Sequence, residues 1–390
     1  MSQIMTINYP QIVVVLLSFQ PAIPDFGVAG FFVCGERKNT MYKTGFYGGK
    51  FMPFHRGHLN CILRAASQCE HLYVVLMYNG REELDIIQNQ DIRFNKKYLT
   101  PHIRELALRK ELNDFPNIEV IAYDSKPADD RAEQEGKHPW YYECEDMVNL
   151  MGKFDVCYSS ESEYSEYFHE FYPWADAVIL DEGREVEPIS GTDLRNMSFS
   201  QAYPHLPRAY QQLVNKTVLF VGTCSCGKTT TVRKLARYFN TSYSEEQGRL
   251  ISEGFKKISS PGVEYYNQFI CSQYMDNIKA KEDANMVALL DTDSIITNFY
   301  AELYEENGLP VGDALSKETQ YDLILFFEPT VPFVADGMRT HREEEQRWDL
   351  SDKLKKMYTD KYNKKIKILN GTYEENYINA VNYIKDMLEE

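Results

Sequence analysis

The sequence predicts an α/β protein built from two doubly wound parallel sheets in tandem. Three observations support this. Apolar runs of strand length alternate with segments of helical spacing. Several of those runs are continuously apolar, as strands covered on both faces are. The alternation breaks once, near Phe199–Val214, and restarts with a new strand at Lys216.

In chain order, Lys43–Phe51 (KTGFYGGKF) reads as a strand running into a glycine turn. His58–Cys69 places Leu59, Ile62, Leu63 and Ala66 on one helical face. His71–Tyr78 (HLYVVLMY) is a buried strand, Ile103–Leu112 a helix and Ile118–Tyr123 a strand. Phe154–Ser160 and Asp176–Glu182 are two more strands. The stretch FSQAYPHLPRAYQQLV carries Pro204 and Pro207 and no strand pattern, so it reads as a helical or irregular connector. After it come the strand TVLFVG, a glycine turn and the helix KTTTVRKLARYF. Met286–Asp293 and Tyr321–Pro329 follow as strands, then Lys365–Gly371, and Tyr373–Glu390 as a closing amphipathic helix. The expected division is residues 1–40 as an extension, 41–200 as the first domain, 201–214 as linker and 215–390 as the second domain.

The chain of 390 residues has length for two domains at roughly 100–200 residues each. Hydrophobic residues at 43% and charged residues at 26% exclude wholesale disorder. A formal charge of −16 argues against a nucleic-acid coat or polybasic membrane binder, while leaving local phosphate sites open. The eight cysteines form no CxxC pair, and no histidine pair has zinc-finger spacing, so no structural metal and reduced cytoplasmic thiols are expected. Gln11–Phe19 (QIVVVLLSF) is apolar over nine residues, against about 20 for a membrane span. Residues 1–40 read either as an upstream extension, with Met41 the natural start, or as an edge strand and loop.

Gly48–His58 (GGKFMPFHRGH) follows a strand and opens a helix. Glycines let the backbone approach a phosphate closely, here Gly48 and Gly49 with Phe51 beyond them. His55 and His58, three apart, share one side of the first helical turn and can donate to phosphate oxygens as charge develops. Lys50 adds a positive charge beside them. About 130 residues on, Ile189–Arg195 (ISGTDLR) offers Ser190 and Thr192 as helix caps and Arg195 one turn later, an anion site of hydroxyls, helix dipole and guanidinium. Either piece alone is readily a capped turn; both, in order at strand-to-helix junctions, point to nucleotide chemistry.

Gly222–Thr229 (GTCSCGKT) fits GxxxxGK[ST] between an apolar strand and a helix. Backbone N–H groups from Gly222 through Ser225 and Gly227 to Thr230 would cradle ATP phosphates. Lys228 would reach the outer phosphates, and Thr229 would hold Mg²⁺. Cys224 and Cys226 sit in this loop; redox sensitivity is one reading, and variable loop positions the simpler one. The strand VALLDTD ends in Asp291, a candidate for Mg²⁺, and Asp293, free to orient or deprotonate an acceptor hydroxyl; helix capping is the alternative for both. Arg339, Arg342 and Arg347 follow the FFEP strand and suit a lid that neutralises a moving phosphoryl group, with a solvated charged helix equally suited to Arg347.

The HxGH and ISxTxxR pieces resemble those of the nucleotidyltransferase superfamily. Their pairing with a P-loop half resembles the bifunctional nicotinamide-mononucleotide adenylyltransferase/ribosylnicotinamide kinase (NadR-type) family, without its DNA-binding domain. VCYSSE, ISGTDLR, NTSYSEEQGR, LLDTD and VADGMR have counterparts there in the same order. The resemblance implies a Rossmann-like HxGH nucleotidyltransferase domain followed by a P-loop kinase domain. It implies ATP-dependent phosphorylation of nicotinamide riboside to the mononucleotide (NMN), then adenylyl transfer from ATP giving NAD and pyrophosphate. It further implies a functional link to a riboside transporter; a homo-oligomer is expected, and the negative charge with the lack of a helix-turn-helix pattern in residues 1–40 argues for no nucleic-acid partner. Trp140 is the candidate to stack on nicotinamide in the first half, with Trp174 as rival. Glu246 and Arg249 would hold ribose hydroxyls and phosphate in the second, and Tyr274 is a substitute stacking partner because Glu245 and Gln247 stand where relatives carry aromatics. A reading with only the adenylyltransferase half active, and the P-loop half a nucleotide sensor or interaction module, remains open.

Overall fold

A computed structural model describes residues 41–89, 92–253, 262–305, 308–333 and 344–389. The readings of residues 1–40, of Arg339 and Arg342, and of the segment 334–339 lie outside these residues.

The first sheet holds β1 (Tyr42–Gly49), β2 (Cys69–Tyr78), β3 (Ile118–Asp124), β4 (Val156–Ser159) and β5 (Asp176–Ile179). All are parallel, in the order β3-β2-β1-β4-β5. The connecting helices are α1 (Arg56–Ala66), α2 (Gly80–Asn89), α3 (Pro101–Leu112), α4 (Lys126–Glu135), α5 (Pro139–Met151) and α6 (Tyr164–Phe171). Thr100 caps α3, its hydroxyl accepting from the Ile103 N–H, with Pro101 at the first turn. Because β2 and β4 flank β1, the chain leaves β1 in opposite directions, and a crevice opens at the strands' carboxyl ends.

Then come α7 (Gly191–Asn196), α8 (Phe199–Ala202) and α9 (Arg208–Val214). The segment read as a connector is helical and strand-free but buried. Tyr203, Leu206, Tyr210 and Val214 join a hydrophobic cluster that also takes in Leu72 and Leu76 of the first sheet and Val218 and Leu325 of the second. Residues Met41–Glu390 accordingly form one compact unit. The prolines shape this segment rather than expose it: its Tyr, Leu and Val side chains fill the space between two sheets.

The second sheet holds β6 (Lys216–Val221), β7 (Tyr243–Ser244), β8 (Val287–Asp291), β9 (Leu323–Phe327) and β10 (Lys367–Leu369), all parallel, in the order β10-β9-β6-β8-β7. Every residue of β6 is buried, as its apolar run predicts. Its helices are α10 (Lys228–Tyr238), α11 (Gln247–Glu253), α12 (Val263–Asp283), α13 (Ser294–Glu305), α14 (Pro310–Glu318), α15 (Glu344–Lys356) and α16 (Tyr373–Glu389). Here β9 and β8 flank β6, and the P-loop leaves β6 at the corresponding switch point.

Candidate active sites

A cleft of about 450 Å³ lies at the carboxyl ends of β1, β2 and β4. Gly48 to Met52, His55 and His58 line one part of it, and Ile189 to Thr192 with Arg195 another. Two segments 130 residues apart in sequence therefore share one cavity.

Local geometry explains each position. Phe51 is buried with a left-handed φ of 47°, turning the chain sharply after Lys50. His55 is the N-cap of α1: its Nδ1 accepts from the Gly57 N–H at 3.1 Å. In the neutral ring this leaves Nε2–H as the donor. A Cβ on Gly57 would stand 2.9 Å from the His55 ring, so glycine makes the space the imidazole fills. His58 lies against His55 with ring centroids 3.8 Å apart. Its Nδ1 is buried and has no hydrogen-bond partner. Burial, then the Arg184 charge, lowers His55 to about 4, and burial with the neighbouring His55 pushes His58 down as well. Both rings are neutral at physiological pH.

Lys50 pairs with Glu82 at 2.5 Å, both half exposed. Arg195 is buried; it donates to the Met52 carbonyl at 2.7 Å and to the Thr192 hydroxyl at 2.9 Å, tying the two segments together. Ser190 caps α7 in a reciprocal arrangement with Asp193. Thr192 was expected to share that capping role; it instead lies inside the first turn and accepts from Arg195. Gly191 is needed because a Cβ there would meet the Met52 carbonyl oxygen at 3.1 Å.

Aromatic residues close another part of the cleft. Trp140 of α5 lines it and stacks on Tyr164 at 5.7 Å. Trp174 packs on Phe154 and Tyr172 under Lys153 and is not among the cleft's lining residues. Glu143, one turn beyond Trp140, also faces the cleft, with Glu82 of α2. Burial first, then the charges of Asp129 and Glu82, push Glu143 up to about 7. Sequence reading missed Glu143 and Arg184, since an acid in a polar helix and an arginine in a loop carry no motif.

In the second sheet, Gly222 leaves β6 at φ 143°, Ser225 has φ 61° and Gly227 has φ 86°. These left-handed steps curl the loop around the start of α10. Lys228 is buried and donates to the Gly222 and Thr223 carbonyls at 2.8 and 2.9 Å. Thr230 is exposed on α10. Asp291, 1% exposed, has no hydrogen-bond partner on either carboxylate oxygen. Burial and the Glu246 charge push it up to about 6, against the pull of Lys228 and the Thr229 hydroxyl beside it. Glu246, Lys228, Thr229 and Asp291 are thus one electrostatic group. A hard cation with oxygen ligands fits that donor set.

Two expectations change here. Asp293 is not free to act on an acceptor hydroxyl through Oδ1: that oxygen caps α13 at Ile295 and Ile296 and accepts from Tyr358. The capping alternative applies to Asp293, while Asp291 stays bare. Arg347 is not on a solvated face. It is 6% exposed and donates to the Val331 carbonyl at 3.0 Å and to the Ser225 carbonyl of the P-loop at 3.4 Å. Arg249 ion-pairs with Glu253 along α11, and Tyr274 is partly exposed on α12.

A family model described as an AAA domain matches residues 217–376. The trifunctional NAD biosynthesis/regulator protein NadR of Escherichia coli (strain K12) is 27% identical over 357 residues, 88% of this chain and 82% of that protein. The phosphopantetheine adenylyltransferase of Mycoplasma mycoides subsp. mycoides SC is 27% identical over 157 residues, 40% of this chain and 97% of the relative. A crystal structure of a NadR protein in complex with NR superposes with a TM-score of 0.69 at 25% identity, covering 90% of this chain and 97% of that one.

Proposed function

We propose that this chain, which resembles the NadR family through both of its sheets, makes NAD from nicotinamide riboside in two ATP-dependent steps. The observation that carries the reading is the shared cleft. The His55–His58 pair and the Ser190–Arg195 segment converge there with the aromatic wall of Trp140. A second nucleotide loop stands separately at β6.

In the first cleft the phosphate of the mononucleotide attacks the α-phosphorus of ATP, and the bond to pyrophosphate breaks. No protein nucleophile is required; positioning and charge stabilisation drive the step. His55 and His58, being neutral, offer N–H donors without a fixed charge to desolvate. Lys50 exchanges Glu82 for phosphate oxygens, a small loss for an exposed pair. Arg195 holds the two segments at their spacing, and Trp140 stacks on the pyridine ring.

At the P-loop, Lys228 leaves the Gly222 and Thr223 carbonyls for the outer phosphates as the 5′-hydroxyl of the riboside attacks the γ-phosphorus of ATP; the bond to the β,γ-bridging oxygen breaks, and ADP and the hydroxyl proton leave. Thr229 and Asp291 would hold Mg²⁺, which supplies charge neutralisation when bound. Glu246 and Arg249 contact the riboside.

The test uses purified chain with riboside, ATP and Mg²⁺, following mononucleotide and NAD. With riboside supplied, Lys228→Ala should form neither product, yet it should still form NAD when mononucleotide is supplied; His58→Ala should accumulate mononucleotide and form no NAD from either. Loss of both steps in both variants overturns the two-site reading. The reading with one active half draws on the engagement of Asp293 and on the pairing of Glu245 with Arg233. Supplying mononucleotide and riboside separately distinguishes it.

A further inference from the structure

Arg104 is the largest fully buried side chain of the first sheet's layer, with 0% exposure. It reaches from α3 to the turn that follows β1. There Nη1 donates to the Lys50 carbonyl at 2.5 Å, and Nη2 donates to Glu83 Oε1 at 2.6 Å. The Glu83 side chain is 7% exposed. Its neighbour on α2, Glu82, pairs with the Lys50 ammonium. Two consecutive acids of α2 therefore hold one residue at both ends: Glu82 its side chain, and Glu83, through Arg104, its main chain.

The two grips differ in strength. The Lys50–Glu82 pair is half exposed and readily exchanged for a phosphate. The Arg104 contacts come from a fully buried guanidinium that gives one Nη to each of two acceptors, and they do not compete with a ligand in the cleft. We infer that Arg104 is the positioning residue of the adenylyl-transfer turn, fixing the backbone of Lys50 and Phe51 while the Lys50 ammonium changes partner. The inference rests on the adenylyl reading of this cleft. The turn before α3 and α3 itself are anchored as well: the Tyr210 hydroxyl donates to the Tyr98 carbonyl at 2.5 Å, and the Ala209 N–H to Glu111 of α3 at 2.7 Å. The guanidinium is thus mounted on a helix anchored away from the cleft.

Two variants test this. Arg104→Lys keeps a charge for Glu83 but cannot span both acceptors. The double variant Arg104→Met with Glu83→Leu removes the clamp without stranding a buried charge. Adenylyl transfer is measured with varied ATP and mononucleotide, and riboside phosphorylation in the same samples reports the folded fraction. A turn displaced by about 1 Å predicts a loss on the order of 100-fold in kcat for adenylyl transfer in the double variant, with a smaller loss for Arg104→Lys. The KM for mononucleotide and the phosphorylation rate should change little. Equal kcat in all three proteins, or parallel loss of both activities, overturns the inference. If the unaltered chain forms no dinucleotide from mononucleotide, the adenylyl reading falls and this inference with it. If it does and the double variant matches it, only this inference falls.

Discussion

Replacing His55 by Asn tests the electrostatics of the first cleft directly. Asn can accept the Gly57 N–H as the imidazole does, so the cap of α1 is kept. What changes is a titration. His55 is 5% exposed, and its pKa is about 4 in the folded chain, against 6.5 in the unfolded one. The unfolded chain therefore binds the proton more tightly between those values. Stability conferred by the neutral ring is complete above pH 6.5 and is lost as pH falls toward 4. The ceiling is roughly 3 kcal/mol, and integration from pH 7 to pH 5 gives about 2 kcal/mol. Carboxylates and histidines away from this pair titrate in both proteins and cancel in the comparison; His58, which burial lowers more than the neighbouring His55 does, changes little. Urea unfolding at pH 7 and pH 5 should show the wild-type chain losing about 2 kcal/mol more than His55→Asn. Equal pH sensitivity in the two proteins would refute the argument that burial holds this imidazole neutral.

Gly57→Ala should separate activity from stability: its Cβ would press on the His55 ring at 2.9 Å, so adenylyl transfer should fall by roughly 10–100-fold, while the melting temperature stays level or rises because alanine suits a helix better. Gly222→Ala meets the Phe327 carbonyl oxygen at 2.4 Å at a φ of 143°, and backbone cannot step aside as a side chain can. Riboside phosphorylation should drop by about 100-fold or more with adenylyl transfer intact, measured as separate half-reactions. Glu143→Gln removes one carboxyl from the set with Asp129 and Glu82 near Trp140. A cationic ring bearing an uncharged amide suits that set, and an added carboxylate does not. The ratio of kcat/KM for the amide mononucleotide over its acid counterpart should fall about tenfold; an unchanged ratio would exclude a role for this charge.

The two doubly wound sheets were legible because a buried parallel strand has to be apolar on both faces, and HLYVVLMY, TVLFVG and YDLILFFEP are. The clefts were legible because glycines with special dihedrals and chemically marked residues recur at fixed spacing, as at Gly222–Thr229. What escaped was set by distant packing. β7 is two residues long and exists through its pairing with β8. The Phe199–Val214 segment has loop punctuation, yet its Tyr203 and Tyr210 are core. Arg104 reads as one more charge on an amphipathic helix, and nothing local announces that it reaches the Lys50 carbonyl. Asp291 and Asp293 are two residues apart, the first ending β8 and the second just beyond it. Only their neighbours, Thr229 and Glu246 for the first and Tyr358 for the second, separate a bare carboxylate from a helix cap.

That separation also distinguishes the demands of the two sites. In the first cleft two neutral imidazoles, Lys50, Arg184 and Arg195 share the lining with Glu82, Glu143, Glu161, Asp181 and Glu187. Under the proposed reading a triphosphate entering there meets imidazole donors and three cations as well as those acids. At the P-loop the buried Asp291 carboxylate has Glu246 as a like-charged neighbour and Lys228 as its main counter-charge. Once Lys228 turns to a phosphate, Asp291 faces it with only the Thr229 hydroxyl and the weaker pull of Arg233 to offset the repulsion, and a buried charge so poorly paired costs several kcal/mol. A divalent cation between carboxylate and phosphate removes the conflict. Under the proposed reading the P-loop half should therefore bind ATP poorly in chelator, with Asp291→Asn recovering metal-free affinity. Calorimetric titration of the Asn variant and the parent chain, each with EDTA, measures this; parent binding in EDTA as tight as in Mg²⁺ would contradict the electrostatic argument.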